Sequence, residues 1–399
     1  MKSRKLDAVI AGHLCLDMFP EFLDAKGSSL ARVFIPGKLT NIGAMTVCTG
    51  GPVSNTGIAM DILGARVALM AKVGNDFIGR AIMDFLKRRA PGAETRLRIS
   101  HGDSSSYSIV IALPGTDRIF LHNPGANDSF CYDDIDFDTV RQARLFHLGY
   151  PPLMRRMYED GGDELLRIYR RVSRMGLVTS LDFALPDPAS PSGRVDWTVI
   201  LKKVLPYVDI FLPSVEEAQF MLDKKEFFRL RQAARGKELI EFFTAGHLAQ
   251  LSSKFLEYGG GIVGLKCGSR GIYVSTASGE RLKKVNGLSS KSWANREVWM
   301  PSYRPEKFVS AAGAGDSAIA GFLAAFLKGK SLEACLSYAS MCGAQNLRTF
   351  DTLSGLVSWS ETTKKINGRT KKNTLTVGSA AWTYDRKEKL WRGPRDGRG

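Results

Sequence analysis

Short apolar runs recur along the chain, and the stretches between them are long enough for one amphipathic helix each. The runs DAVIAG, ARVALMAKVG, ARLFHLGY, GLVTSLDF, VDIFLPS and GIVGLKCGSRGIYVST are rich in valine, isoleucine and leucine, with glycine, aspartate or serine at or near their ends. Such runs read as buried strands bounded by turns. Between them, SNTGIAMDILG, DFIGRAIMDFLKRR, GDELLRIYRRVSRMG and WTVILKKVLPYV space apolar residues as one face of a helix does. The alternation predicts a doubly wound α/β sheet, mostly parallel, with helices on both faces and ligands at the carboxyl ends of the strands. Two segments break the rhythm, FLDAKGSSLARVFIPGKLTNIGAMTVCTGG and SSSYSIVIALPGTDRIFLHNPGAND. Their alternating residues and the turn-like LPGTDR predict a small β lid outside the main sheet.

Composition narrows the class. With 399 residues, 44% hydrophobic and 24% charged, the chain is globular rather than disordered. Six scattered cysteines without a CxxC pair, and five scattered histidines, suggest neither a zinc site nor a disulfide framework, and a reducing cytoplasm fits best. MKSRKLDAVIAGHLCLD has basic residues before an apolar stretch, but Asp17 interrupts that stretch, so it reads as a first strand rather than a secretion signal. No run is long enough to cross a bilayer. The net charge of +16 invites a nucleic-acid partner. Its distribution argues against one: residues 367–399 hold nine Lys/Arg against three Asp/Glu and supply +6, while the rest is dispersed. The aromatic residues of that tail, Trp382, Tyr384 and Trp391, suit a terminal strand or hairpin packed on the body. The expectation is a small-molecule partner, no nucleic acid and no membrane.

Two stretches carry candidate chemistry. In AAGAGDSAIAGF, tiny residues end on Asp316 where an apolar helical pattern begins. Asp316 then either caps that helix or stands beside an anion held by its first N–H groups. In TGGPVSN, Gly50 and Gly51 permit close backbone approach, Pro52 suits a first helical turn, and Asn55 offers both donor and acceptor to a hydroxyl-rich ligand. The Walker-like GKS at Gly329 to Ser331 fails, because Ala324 stands where the loop needs glycine; Gly329 reads as a helix C-cap. CGSRG is no dinucleotide fingerprint either.

Together these stretches resemble the PfkB-type, ribokinase-like carbohydrate kinases. The twin glycines, Asn55 and LGARVALMAKVGNDFIG resemble the family's N-terminal signature, and GAGDSAIAGF its C-terminal one; NPGAND, FLPSVEEA and LKCGSRGIYV fall in family order between them. The resemblance implies a three-layer α/β/α ribokinase-like fold with a β lid. It implies residues 1–366 as the kinase domain, with the lid from about 18–49 and 101–125, and residues 367–399 as a basic extension. It also implies phosphorylation of a sugar or sugar-like polyol by ATP with Mg2+, a nucleoside being the second choice, and a homodimer as one form of assembly. A non-catalytic ligand-binding protein of the same fold is the reading from another class.

Residue by residue, the resemblance makes Asp316 the general base and the N–H groups of Gly313, Ala314, Gly315 and Asp316 an anion hole that needs no Walker lysine. Asp17, Gly50, Gly51 and Asn55 match the substrate wall, Ser214 and Gly268 the nucleotide side, and Glu217 the acid that organises the metal. Three departures qualify this. Ser214 stands where the family's N-x-x-E has asparagine. SAA at Ser310 to Ala312 replaces the usual Asp-Thr-Thr, which implies weak potassium dependence or none. Cys15 replaces an asparagine of ribose-specific relatives, and Pro52 and Val53 replace polar or small residues after the twin glycines, which argues against ribose itself.

Overall fold

Strand Leu6–Gly12 shows how the chain pattern becomes layers. Val9 and Ala11 point to one apolar core and Ala8 and Ile10 to the other, all fully buried, so the strand must lie inside a sheet covered on both faces. The computed structural model describes residues 4–22, 33–111, 113, 119–349 and 351–397. Part of the expected lid, residues 23–32, and most of the LPGTDR turn lie outside them.

Among the described residues the central sheet has eleven strands. From one edge they run Thr383–Asp385, Leu390–Arg392, Glu297–Met300, Ile272–Thr276, Ile262–Lys266, Ile210–Phe211, Val178–Leu181, Ala143–Gly149, Leu6–Gly12, Val67–Met70 and Glu94–Thr95. All pairs from Ile262–Lys266 onward are parallel, and the other edge is antiparallel. Helices follow the sequence pattern: in Asp163–Arg174, Leu165, Ile168, Tyr169 and Val172 form the buried stripe while arginines face outward. Burial of each such side chain contributes about 1.5–3 kcal/mol.

The basic tail ends in a hairpin, Thr383–Asp385 with Leu390–Arg392, that extends the sheet by pairing Trp391 with Trp299. Trp382 is buried beside Tyr273 and Trp299. Among the described residues, two of the tail's nine cations pair with acids: Arg392 bridges Asp396, Asp385 and Glu333, and Arg395 reaches the buried Glu297.

A separate four-stranded sheet, Met45–Gly50, Cys15–Pro20, Tyr107–Ile111 and Ile119–Asn123, forms the lid. Its first strand starts at Cys15, earlier than the sequence indicates, because the chain passes from the main sheet into the lid within two residues, His13 and Leu14. ARVALMAKVG is likewise two strands: Val67–Met70 stays in the main sheet, while Lys72–Gly74 turns away to pair with Arg98–Ser100.

Candidate active site

Five adjacent parallel strands end at one place. His13 follows Leu6–Gly12, Tyr150 follows Ala143–Gly149, Asp182 follows Val178–Leu181, Ser214 lies just beyond Ile210–Phe211, and Lys266 closes Ile262–Lys266. Ligands of open α/β sheets bind at such carboxyl ends.

Helix Ala314–Leu327 starts over this edge, and Gly313 sits before it at φ 72°, a left-handed conformation that a side chain would strain. Asp316, in the first turn, does not cap the helix. Its Oδ2 accepts from Asn55 Nδ2 at 2.8 Å and its Oδ1 from the Tyr150 hydroxyl at 2.9 Å. Thr352 donates to Asn55 Oδ1 at 2.7 Å, which leaves the amide no choice but to present its NH2 to the acid. Burial pushes the Asp316 carboxyl above its usual range, opposed by Asn55, Lys266 and Tyr150 in that order. Burial, with Asp316 alongside, holds the Tyr150 hydroxyl far above the ordinary phenol range, so Tyr150 stays a donor. Its backbone is left-handed at φ 62° and ψ 46°, a strain of about 1–3 kcal/mol that local structure sustains next to this acid.

The expected anion hole contains no lysine, but the structure brings one from another strand beside Gly315. A Cβ built on Gly315 would lie 3.6 Å from Lys266 Nζ, so the ammonium runs beside the first turn of the helix. The first helical backbone bond there joins Ser317 N–H to the Gly313 carbonyl at 2.9 Å, which leaves the N–H groups of residues 314–316 outside the ladder. Of these, Ala314 donates to the Ala311 carbonyl at 3.3 Å, so Gly315 and Asp316 are better placed to meet an anion. Lys266 Nζ also donates to Asp182 Oδ1 at 2.7 Å, and the other Asp182 oxygen is buried without a partner among the described residues. Burial alone would lower the Lys266 pKa; the carboxylates of Asp182, Glu217 and Asp316 outweigh it and hold the ammonium above its usual range. Burial raises Asp182 and Glu217, and Lys266 pulls both back.

Ser214 and Glu217 form a capping box at helix Val215–Leu222: Glu217 N–H donates to Ser214 Oγ at 3.1 Å, and Ser214 N–H to Glu217 Oε2 at 2.7 Å. Serine therefore keeps the helix start intact where the family has asparagine. Gly268, at φ 50°, begins the turn Gly268–Arg270 between two antiparallel strands and has open space around its α-carbon.

On the lid side, Asp17 lies within strand Cys15–Pro20, with Gly50 packed against its carboxylate and Cys15 Sγ donating to Oδ1 at 3.3 Å. Burial raises the Asp17 carboxyl, opposed by hydrogen bonds from Cys15 and Ser108. Gly51 precedes helix Pro52–Ile62 at φ 87°, where a Cβ would fall 2.5 Å from the His13 carbonyl. The twin glycines thus join the lid acid to the helix that carries Asn55.

Residues 24–358 match the pfkB family carbohydrate kinase profile. The chain belongs to the PfkB family of carbohydrate kinases. This kinase is 27% identical over 297 residues to an uncharacterized sugar kinase of Archaeoglobus fulgidus, covering 74% of this chain and 96% of that protein. It is 22% identical over 348 residues to a 5-dehydro-2-deoxygluconokinase of Clostridium perfringens, covering 86% and 87%. The structure of Arabidopsis thaliana ribokinase with ribose and ATP superposes with a TM-score of 0.65 at 17% identity, covering 91% of this chain and 99% of that one. The kinase thus has the ribokinase-like fold expected from its sequence.

Tyr150, Asp182, Lys266, Thr352 and His13 went unmarked in the sequence. Four of them share one readable signal: each is at or just past the carboxyl end of a parallel strand. Thr352 carries none.

Proposed function

We propose that this kinase transfers the γ-phosphoryl group of ATP to a hydroxyl of a sugar or sugar-like polyol, with Asp316 as general base. The observation that carries the reading is the setting of Asp316, whose two oxygens are aimed by Asn55 and Tyr150 beside a helix N-terminus and a lysine. A carboxylate offers about four lone-pair sites, so with two donors in place it can still accept from a substrate hydroxyl and take its proton. Charge on the transferring phosphoryl group is met by the N–H groups of Gly315 and Asp316 and by the Lys266 ammonium, fixed in place before the reaction. Asp17, Gly50, Gly51 and Asn55 hold the acceptor; Ser214 and Gly268 border the nucleotide.

Magnesium fits the donor set. The unpartnered Asp182 oxygen and the Glu217 carboxylate are hard oxygen donors that both interact with Lys266, and Mg2+ is commonly held by one or two carboxylates with water and phosphate. When bound, the ion would neutralise phosphate charge.

A homodimer through the lids belongs to the same reading. Leu39, Met45, Val47 and Leu121 expose 89%, 45%, 42% and 52% of their surface on the lid, an apolar concentration of the kind that marks an interface. Leu121→Glu is expected to convert a dimer to monomer in sedimentation equilibrium; an unchanged mass would remove the lid interface. The six free cysteines, five of them buried, suit a reducing cytoplasm.

The direct test is a screen of neutral sugars, polyols and nucleosides with ATP and Mg2+, read as ADP release and phosphorylated product. Turnover of a sugar or polyol supports the reading; preference for nucleosides replaces the acceptor class.

A further inference from the structure

A run of polar groups joins the two acids of the site. From Asp17 it passes to Ser108, its neighbour across the lid, then to His122, whose Nδ1 is 3.0 Å from Ser108 Oγ. The His122 ring lies 5.4 Å from that of His13, and His13 lies 6.1 Å from Tyr150, the donor to Asp316. The run therefore crosses from lid to body along the wall that begins at Gly51, whose α-carbon faces His13.

His13 is the unusual member. It is 2% exposed, yet neither ring nitrogen has a hydrogen-bond partner among the described residues. Burial, with His122 adding to it, pushes its pKa down to about 3, so the ring is neutral and offers one donor and one acceptor. Buried polar atoms in folded proteins are nearly always paired, and an orphan beside a substrate wall calls for a partner. A hydroxyl fits either nitrogen, since it both donates and accepts. A carboxylate does not fit this setting, because Asp17 and Asp316 stand at the two ends of the run and like charges repel.

We propose that His13 is a specificity-determining residue that hydrogen-bonds a non-reacting hydroxyl of the acceptor, and that the wall of His13, Asp17 and Asp316 selects an uncharged sugar or polyol over a sugar acid. This rests on the kinase reading above. It sets the chain apart from the relative named for a deoxygluconate substrate.

The test uses the full chain with saturating ATP and Mg2+. Neutral pentoses, hexoses and polyols are assayed beside their aldonic and uronic acids, for wild type, His13→Phe and His13→Gln. Wild type is expected to favour the best neutral acceptor over its acid by about a hundredfold in kcat/KM, because the acid's carboxylate would meet the like charges of Asp17 and Asp316. His13→Phe is expected to raise the acceptor KM about tenfold, the scale of one neutral hydrogen bond, with the KM for ATP unchanged. His13→Gln should recover part of that loss, which a purely structural role would not produce. Preference for acids, or an unchanged acceptor KM in a folded His13→Phe, overturns the proposal and leaves the kinase reading standing. If no alcohol in the panel or the wider screen is phosphorylated, the kinase reading falls and this inference with it. Circular dichroism and thermal melting confirm folding, and an unfolded His13→Phe shifts the decision to His13→Leu, whose unchanged acceptor KM likewise overturns it.

Discussion

Asp316→Asn removes phosphorylation and leaves the fold and ATP binding intact. Loss of a positioned general base costs about 10²–10⁴-fold in rate. The amide has the same shape, so the helix start and its neighbours Asn55 and Tyr150 stay in place, although their donors lose an acceptor oxygen. The loss should fall on kcat, with little change in the KM for ATP. Steady-state kinetics with the acceptor found in the screen, together with calorimetric titration of ATP, check this. A kcat within tenfold of wild type would take the base role away from Asp316.

The pH profile carries the same assignment. Burial raises the Asp316 pKa, and the base works only when ionised, so activity is lost as pH falls through a value above the ordinary aspartate range. Asn55, Lys266 and Tyr150 each hold that value down. Asn55→Ala should therefore shift the acid limb of kcat/KM upward. An unmoved limb would mean that another group controls it.

How far this site could be read from sequence follows from how each residue is held. Asp316, Asn55 and the twin glycines are marked because small residues beside a helix start are a local pattern, visible without knowing the fold. The strands and main helices are legible for the same reason: Val9 and Ala8 alternate, and Leu165, Ile168 and Val172 recur. Lys266 and Asp182 are 84 positions apart, and their pairing depends on two strands being separated in the sheet by only Ile210–Phe211. Thr352 reaches Asn55 across 297 positions from an irregular segment. No local spacing carries such information. The boundary errors have a similar cause, since Lys72–Gly74 continues an apolar run but leaves the sheet for a partner that only the fold supplies.

Lys266→Met tests the part that sequence did not reveal. The Lys266 side chain is 14% exposed and that of Asp182 is fully buried, so removing the cation strands a carboxylate in the interior. Breaking a buried pair from one side costs about 3–5 kcal/mol of stability, whereas replacing both partners by apolar groups is often neutral. The double variant Lys266→Met/Asp182→Leu should thus regain most of the stability lost by the single one, measured by urea unfolding. Activity should not return with it. The ammonium beside Gly315 is placed to meet phosphoryl charge, and a preorganised electrostatic contact of that kind is worth about 10²–10³ in kcat. The single variant also strips Asp316 of a charge that keeps it ionised, so its acid limb moves to higher pH. A stable double variant with wild-type kcat would reduce Lys266 to a structural partner of Asp182, and the anion site would then consist of backbone N–H groups alone.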